Sequence, residues 1–275
     1  MKQINQHIAE KLIINKSSKK KEHVYFVPNT LVEFNEYVKR QKENAHMSGS
    51  MYGTKENPLD LTYIDFGQLP DEALSYYFYE DQEILYLDMS DCRFGQSMNS
   101  IDNMFANMDS CREINVCNWD LGSITILTGL FSECVHLYKI EGLNTIDFSN
   151  ITRMSGMFRE CHSLEELDLS NWNLSEAIRL VGIFGECSSL KKVDLSDWDK
   201  YSSNFQKCNK MFYECKNLET IKGIENWDLS KCENLSKMFY NCEKLKVNLD
   251  NWKIHPDPNL SDMFTNTNIS PVWYK

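Results

Sequence analysis

The stretch MSGMFRECHSLEELDLSNWNLS, Met154 to Ser175, holds every element of a pattern that runs down the chain. Its Phe158 is one of eight regularly spaced residues: Phe78, Phe105, Phe131, Phe158, Phe184, Phe212, Phe239 and Phe264. Their intervals are 27, 26, 27, 26, 28, 27 and 25 residues. A period in the twenties marks a solenoid, in which one short supersecondary unit stacks on copies of itself. An apolar residue stands four before the Phe in most copies, at Leu127, Met154, Leu180, Leu235 and Leu260. A Met, Leu or Ile normally stands directly before it. Such spacings place the side chains on one side of a short helix or helical turn. Cys208 fills the same place before Phe212, as a small thiol can in a core.

Further on, the period changes to two. In Leu164-x-x-Leu167-x-Leu169 the pattern predicts a short strand, with Leu167 and Leu169 inward and Glu166, Asp168 and Ser170 outward. Leu87 with Met89, Ile114 with Val116, and Val193 with Leu195 repeat the inward pair. One strand per coil builds a parallel sheet with a spacing of about 4.8 Å, so some eight coils would span about 35–40 Å. A Trp follows the strand at Trp119, Trp172, Trp198, Trp227 and Trp252, and stacking on the next coil is favoured over a glycan or peptide platform. Gly142 and Gly223 occupy matching places in coils with an extra residue and are expected to relieve crowding at a bulge.

Ten Cys residues contain no Cys-x-x-Cys pair. Cys134, Cys161, Cys187, Cys215 and Cys242 each lie three residues after the repeat Phe, which makes them a ladder of buried filler. The six His are scattered. A metal site from Cys134, His136, Cys161 and His162 has acceptable ligand types. Adjacent residues on a coil diverge, however, and neither a metal nor a cofactor is expected. No phosphate-binding, dinucleotide, nucleophile-elbow or zinc-protease motif occurs, so no catalytic residue can be assigned.

Residues 1–60 read as an N-terminal arm and capping helix, and 61–275 as the solenoid with a C-terminal cap. The arm carries the basic run Lys19–Lys21 and a short strand near Val24–Val27. Asn29 or Thr30 can cap a helix whose Leu31, Phe34 and Val38 share a face with Tyr37 beside them. Residues 42–58 read as a surface connection. At the other end, Val272 and Trp273 are expected to cover the last coil. Tyr76, Tyr77 and Tyr79 concentrate aromatic area in the first.

The formal charge is −11, from 40 acidic and 29 basic residues. Repulsion makes nucleic acid or an anionic membrane a poor partner, whereas a basic protein is compatible. The longest apolar run near the start, Leu12-Ile13-Ile14, is too short for an export signal. A cytoplasmic protein is expected, with export by a non-classical route as the alternative. A monomer or weak dimer is expected.

The consensus M-F-x-x-C-x-x-L-x-x-L-D-L-S-x-W over residues 61–267 resembles the BspA-like leucine-rich repeats of about 26 residues, in particular the domain of unknown function 285 type. The resemblance implies an α/β solenoid of leucine-rich-repeat type, with about eight coils of 25–28 residues, a parallel sheet and a helical N-terminal cap. Crossover geometry makes it right-handed. Members are associated with surfaces and adhesion, but no signal or anchor motif is read in this sequence, so a surface adhesin is not the first expectation. The expected function is that of a protein-recognition scaffold without catalytic activity. An adhesin- or effector-like module, secreted or delivered and of bacterial or phage origin, is the alternative. The candidate partner-binding residues are the outward strand positions Tyr86, Asp88, Asn115, Glu166, Asp168, Lys192, Asp194 and Lys246.

Overall fold

The computed structural model describes residues 24–45 and 51–274. Lys19–Lys21, most of the arm, and His7, His23 and His46 lie outside them. The architecture is a parallel β-solenoid of about seven turns, with one α-helix ahead of it among the described residues. Eight marker Phe residues enclose only seven intervals, which corrects the expected eight coils. The Phe rings stack in an unbroken file, with centroids 5.1–5.8 Å apart from Phe78 to Phe264.

Helix α1 spans Leu31–Asn44, and the Thr30 hydroxyl accepts from the Glu33 N–H at 3.2 Å. Phe34 and Val38 are buried, and Phe34 packs edge-on against Phe66 at 5.1 Å. Leu31, expected on the same face, is 37% exposed, and only Phe34 and Val38 of that stripe are buried. The expected strand near Val24–Val27 reduces to one bridge, Phe26 to Ile64.

The strands are two or three residues long. They are β1 (Leu59–Asp60), β2 (Tyr86–Asp88), β3 (Glu113–Asn115), β4 (Lys139–Glu141), β5 (Glu166–Asp168), β6 (Lys192–Asp194), β7 (Thr220–Lys222), β8 (Asp228–Leu229) and β9 (Lys253–Ile254). All pairings are parallel, but they form three sheets, β1–β4, β5–β7 and β8–β9, where one continuous sheet was expected. The first break follows Gly142, whose left-handed φ of 89° turns the chain into the short 3-10 segment Leu143–Thr145. A Cβ on Gly142 would meet the Cys117 backbone at 2.3 Å, and one on Gly223 would meet Ser196 Cα at 2.4 Å. The two coils carrying an extra residue therefore close against their neighbours only through glycine.

Around each Phe the expected helical turn is absent. Two positions per coil are instead left-handed, two before and two after the Phe, as at Gly156 (φ 61°) and Glu160 (φ 60°). This alternation divides the amide groups. The N–H groups of Gly156, Phe158 and Glu160 reach the next coil at Val181, Ile183 and Gly185, each at 2.9 Å. Those of Met157 and Arg159 close tight turns within their own coil. A helix would spend every N–H on itself. The turn is thus a second ladder between coils, and each described coil is a β-solenoid unit without an α-helix of its own.

The Trp file forms as a packed column, with Trp172, Trp198, Trp227 and Trp252 stacked at 5.9–6.2 Å. Phe148 takes the missing place between Trp119 and Trp172, its ring 3.9 Å from Trp172. Trp273 continues the file 6.0 Å beyond Trp252, and Tyr274 packs edge-on against Phe264. Val272, expected to share that cover, is 68% exposed.

Candidate functional site

The outward strand residues fall into two rows set by the register. One row runs Tyr86, Glu113 and Lys139 on β2–β4, then Glu166, Lys192 and Thr220 on β5–β7. The other runs Asp88, Asn115 and Glu141, then Asp168, Asp194 and Lys222. Seven of the eight candidate residues lie in these rows. Lys246 does not: it is outside every strand, and its N–H donates to the Glu219 carbonyl, one residue ahead of Thr220. The shorter interval between Phe239 and Phe264 leaves that coil without a strand at this position.

The second row has a structural task. Asp88 Oδ1 accepts from the Ser90 N–H at 2.9 Å, and Asn115 Oδ1 from the Cys117 N–H at 3.0 Å. Asp168 and Asp194 do the same for Ser170 and Ser196, at 3.1 and 3.0 Å. Each side chain closes an Asx turn where the chain leaves the sheet. Only one carboxylate oxygen is used in this way, so Asp88 and Asp168 each keep a second acceptor for solvent or a ligand. In Asp194 the second oxygen holds the Lys222 ammonium at 2.7 Å. Partial burial raises the Asp194 pKa, but Lys222 and the Ser196 hydrogen bonds outweigh it and leave the group below its ordinary value.

The first row is better placed to meet a partner. Two shallow depressions lie over it. One, of about 210 Å³, brings together Tyr86, Asp88 and Asn115 with Lys55, Glu113, Lys139 and Glu141. The other, of about 230 Å³, lies over the break after β4 and is lined by Tyr138, Lys139, Leu143, Leu164, Glu166 and Asp168. Lys192 and Asp194 stand beyond it. Glu113 was not anticipated from sequence, though its position is equivalent to that of Glu166. Lys55 reaches it at 2.8 Å, the Tyr138 hydroxyl donates to it, and Lys139 stands at 3.9 Å. Burial raises the Glu113 pKa, and the Lys55 and Tyr138 hydrogen bonds then carry it below the usual carboxylate value. Glu113 is therefore a fixed negative charge between two strands.

The ladder thiols are buried and hydrogen-bonded. Each ladder Sγ donates to the repeat Phe carbonyl of a neighbouring coil: Cys134 to Phe105 and Cys187 to Phe158 at 2.9 Å, Cys161 to Phe131 at 3.0 Å. Burial pushes the pKa of Cys134 and Cys187 up to about 12. His162 Nδ1 faces the Glu186 carbonyl at 2.9 Å rather than Cys161. Among the described residues, no group of three His, Cys, Asp or Glu side chains is arranged to hold a metal. No helix among them is long and apolar enough to cross a membrane.

These features define a repeat solenoid with a rigid polar strand face. A family model described as "Mycoplasma protein of unknown function, DUF285" matches residues 99–221 and 206–270, and the chain belongs to that family. The resemblance carried by the repeat consensus is thereby borne out. No curated protein sequence matches the chain. Among solved structures, a leucine-rich repeat protein of T. pallidum is 14% identical, over 59% of this chain and 83% of that one, with a TM-score of 0.34. A leucine-rich repeat protein from Eubacterium ventriosum is 12% identical, over 79% and 80%, with a TM-score of 0.36. A leucine-rich cell surface protein from Faecalibacterium prausnitzii is also 12% identical, over 71% and 79%, with a TM-score of 0.20.

Proposed function

We propose that this chain is a non-catalytic protein-recognition module of leucine-rich-repeat type that binds a basic, extended segment of a partner along its strand face. Residues 1–60 serve as arm and cap, and residues 61–275 as the recognition solenoid. The observation that supports this reading most directly is the charge of the two strand rows. Asp88, Glu113, Glu141, Glu166, Asp168 and Asp194 outnumber Lys139, Lys192 and Lys222 there. A partner lysine or arginine could displace an exposed internal ion pair at little cost, since such pairs contribute about 0–1 kcal/mol each. Tyr86, half-buried beside Asp88, supplies aromatic area of the kind that anchors interfaces.

The test is binding of an array of basic peptides to the immobilised protein and to a Tyr86→Ala, Glu141→Lys, Glu166→Lys variant. These positions spare the turn-forming Asp residues, so the fold should survive. Peptides retained by the native protein and released by a variant with an unchanged melting curve support the strand face. Equal retention removes the site from this face.

A further inference from the structure

Half a coil away from the strands runs a third ladder, made of single bridges from Ser100 through Ile126, Arg153, Arg179, Lys207 and Asn234 to Asn259. Its three central rungs are cations on consecutive coils. Arg153 and Arg179 stand 13 residues to either side of Glu166, so the ladder and the strand row are separate parts of the coil. Parallel bridging sets the rungs about 4.8 Å apart, and the three span about 10 Å.

Three observations set this run apart. Arg153 and Arg179 are exposed and Lys207 is half-buried, yet among the described residues none forms an ion pair or a side-chain hydrogen bond. On the strand face, by contrast, Lys139, Lys192 and Lys222 each hold a carboxylate. Next, the positions directly before these three rungs, Thr152, Ile178 and Gln206, and those two residues after them, Ser155, Val181 and Asn209, are uncharged; the carboxylates nearby in sequence or on the next coil, Glu176 and Glu233, form no ion pair with the run among the described residues. Asp102 is a carboxyl that senses Arg153, and it is already engaged by the Thr128 N–H at 2.7 Å. Finally, the backbone beneath is fixed. Arg153 N–H is held by the Thr125 carbonyl and Arg179 N–H by that of Thr152, while the Arg179 and Lys207 carbonyls accept from Met154 and Leu180.

Three like charges held side by side repel one another, and no carboxylate among the described residues forms an ion pair with any of them. An external anion would. We infer that Arg153, Arg179 and Lys207 form a docking site for a short acidic peptide segment of a partner protein, laid along the solenoid axis with one carboxylate per rung. Two guanidinium groups suit bidentate carboxylate recognition. The length argues for a short motif over a long polyanion. The run ends in neutral Ile126 and Asn234, and a chain of net charge −11 repels whatever continues past them.

The test is fluorescence anisotropy with a labelled Glu hexapeptide, compared with a Lys hexapeptide, a sulfated oligosaccharide and a single-stranded oligonucleotide. The native protein should bind the Glu peptide, more weakly as salt rises. An Arg153→Gln, Arg179→Gln, Lys207→Gln variant should bind it about tenfold more weakly, equivalent to about 1.4 kcal/mol over three contacts. Circular dichroism melts confirm that this surface variant folds, and single Gln variants with intermediate losses would repeat the result if the triple variant did not. A Lys200→Gln, Lys216→Gln variant, which removes two exposed cations outside both faces, should bind the Glu peptide like the native protein. Unchanged binding by the triple variant overturns the site. Ladder-dependent binding of the sulfated sugar or oligonucleotide with none of the Glu peptide overturns the peptide assignment. Ladder-dependent self-association in sedimentation would make a second copy the occupant and equally overturn it.

Discussion

Trp227 carries an indole N–H that is buried without an acceptor among the described residues, while its neighbours in the file have one. Trp198 Nε1 donates to the Leu169 carbonyl at 2.9 Å and Trp252 Nε1 to that of Ile224 at 2.6 Å. The same residue type in the same column therefore stabilises the coil by stacking alone at one rung, and by stacking plus a hydrogen bond at the others. Trp198→Phe should cost about 1 kcal/mol more than Trp227→Phe, the net value of one buried hydrogen bond. Urea denaturation of the two variants measures the difference. Asp194 yields a prediction about acid. Its folded pKa lies below the unfolded one, so its stabilisation is complete above the ordinary Asp range near 4 and is lost as pH falls through the lower folded value. Asp194→Asn keeps the acceptor for Ser196 but not the charge. Its stability should therefore fall less than that of the native protein between pH 5 and pH 3, by about the contribution of this one group.

At the scale of the element, the thiol ladder and the turn it closes make a kinetic prediction. Cys117 is only half-buried, whereas Cys134, Cys161, Cys187, Cys215 and Cys242 are enclosed. Iodoacetamide with mass-spectrometric mapping should modify Cys117 first in the folded protein. The ladder thiols should follow only at the rate of unfolding. The strands were legible in the sequence because period two has one reading: Leu167 and Leu169 inward, Asp168 between them. The turn was not, because apolar residues one and four places before Phe158 fit a helix and this alternating chain equally well. The available signal was the type of residue two places on either side of the Phe. Gly129, Gly156 and Gly182 on one side, and Asn107, Asn241 and Asn266 on the other, are residues that tolerate left-handed backbone. The candidate site was legible in position more than in role. Asp168-x-Ser170 and Asp194-x-Ser196 are turn patterns, and hydrogen bonding to their own backbone uses part of what looked like free binding capacity. Glu113 gained its importance from Lys55 and Tyr138, which sequence distance hid.

For the whole molecule, the stacked aromatic files make each coil a cover for the one before it. Trp273 is the cover for Trp252, and its Nε1 also donates to the Leu249 carbonyl at 2.7 Å. Trp273→Ala should lower stability by about 2–3 kcal/mol, somewhat below the cost of losing a fully buried Trp. It should also expose the Trp252 ring and promote association, which sedimentation velocity would register.

The ladders of hydrogen bonds at the strands, at the left-handed turn and at the Ser100–Asn259 bridges all run along the solenoid axis. A load applied between the ends therefore pulls on the bonds one coil at a time, with no shear across a broad sheet to share it. Each ruptured coil frees some 27 residues, or about 90 Å of chain at 3.3–3.6 Å per residue. Stretched by an optical trap, the molecule should lengthen as a staircase of such steps. Extension under load would then be set by the stability of single coils and not by that of the whole fold.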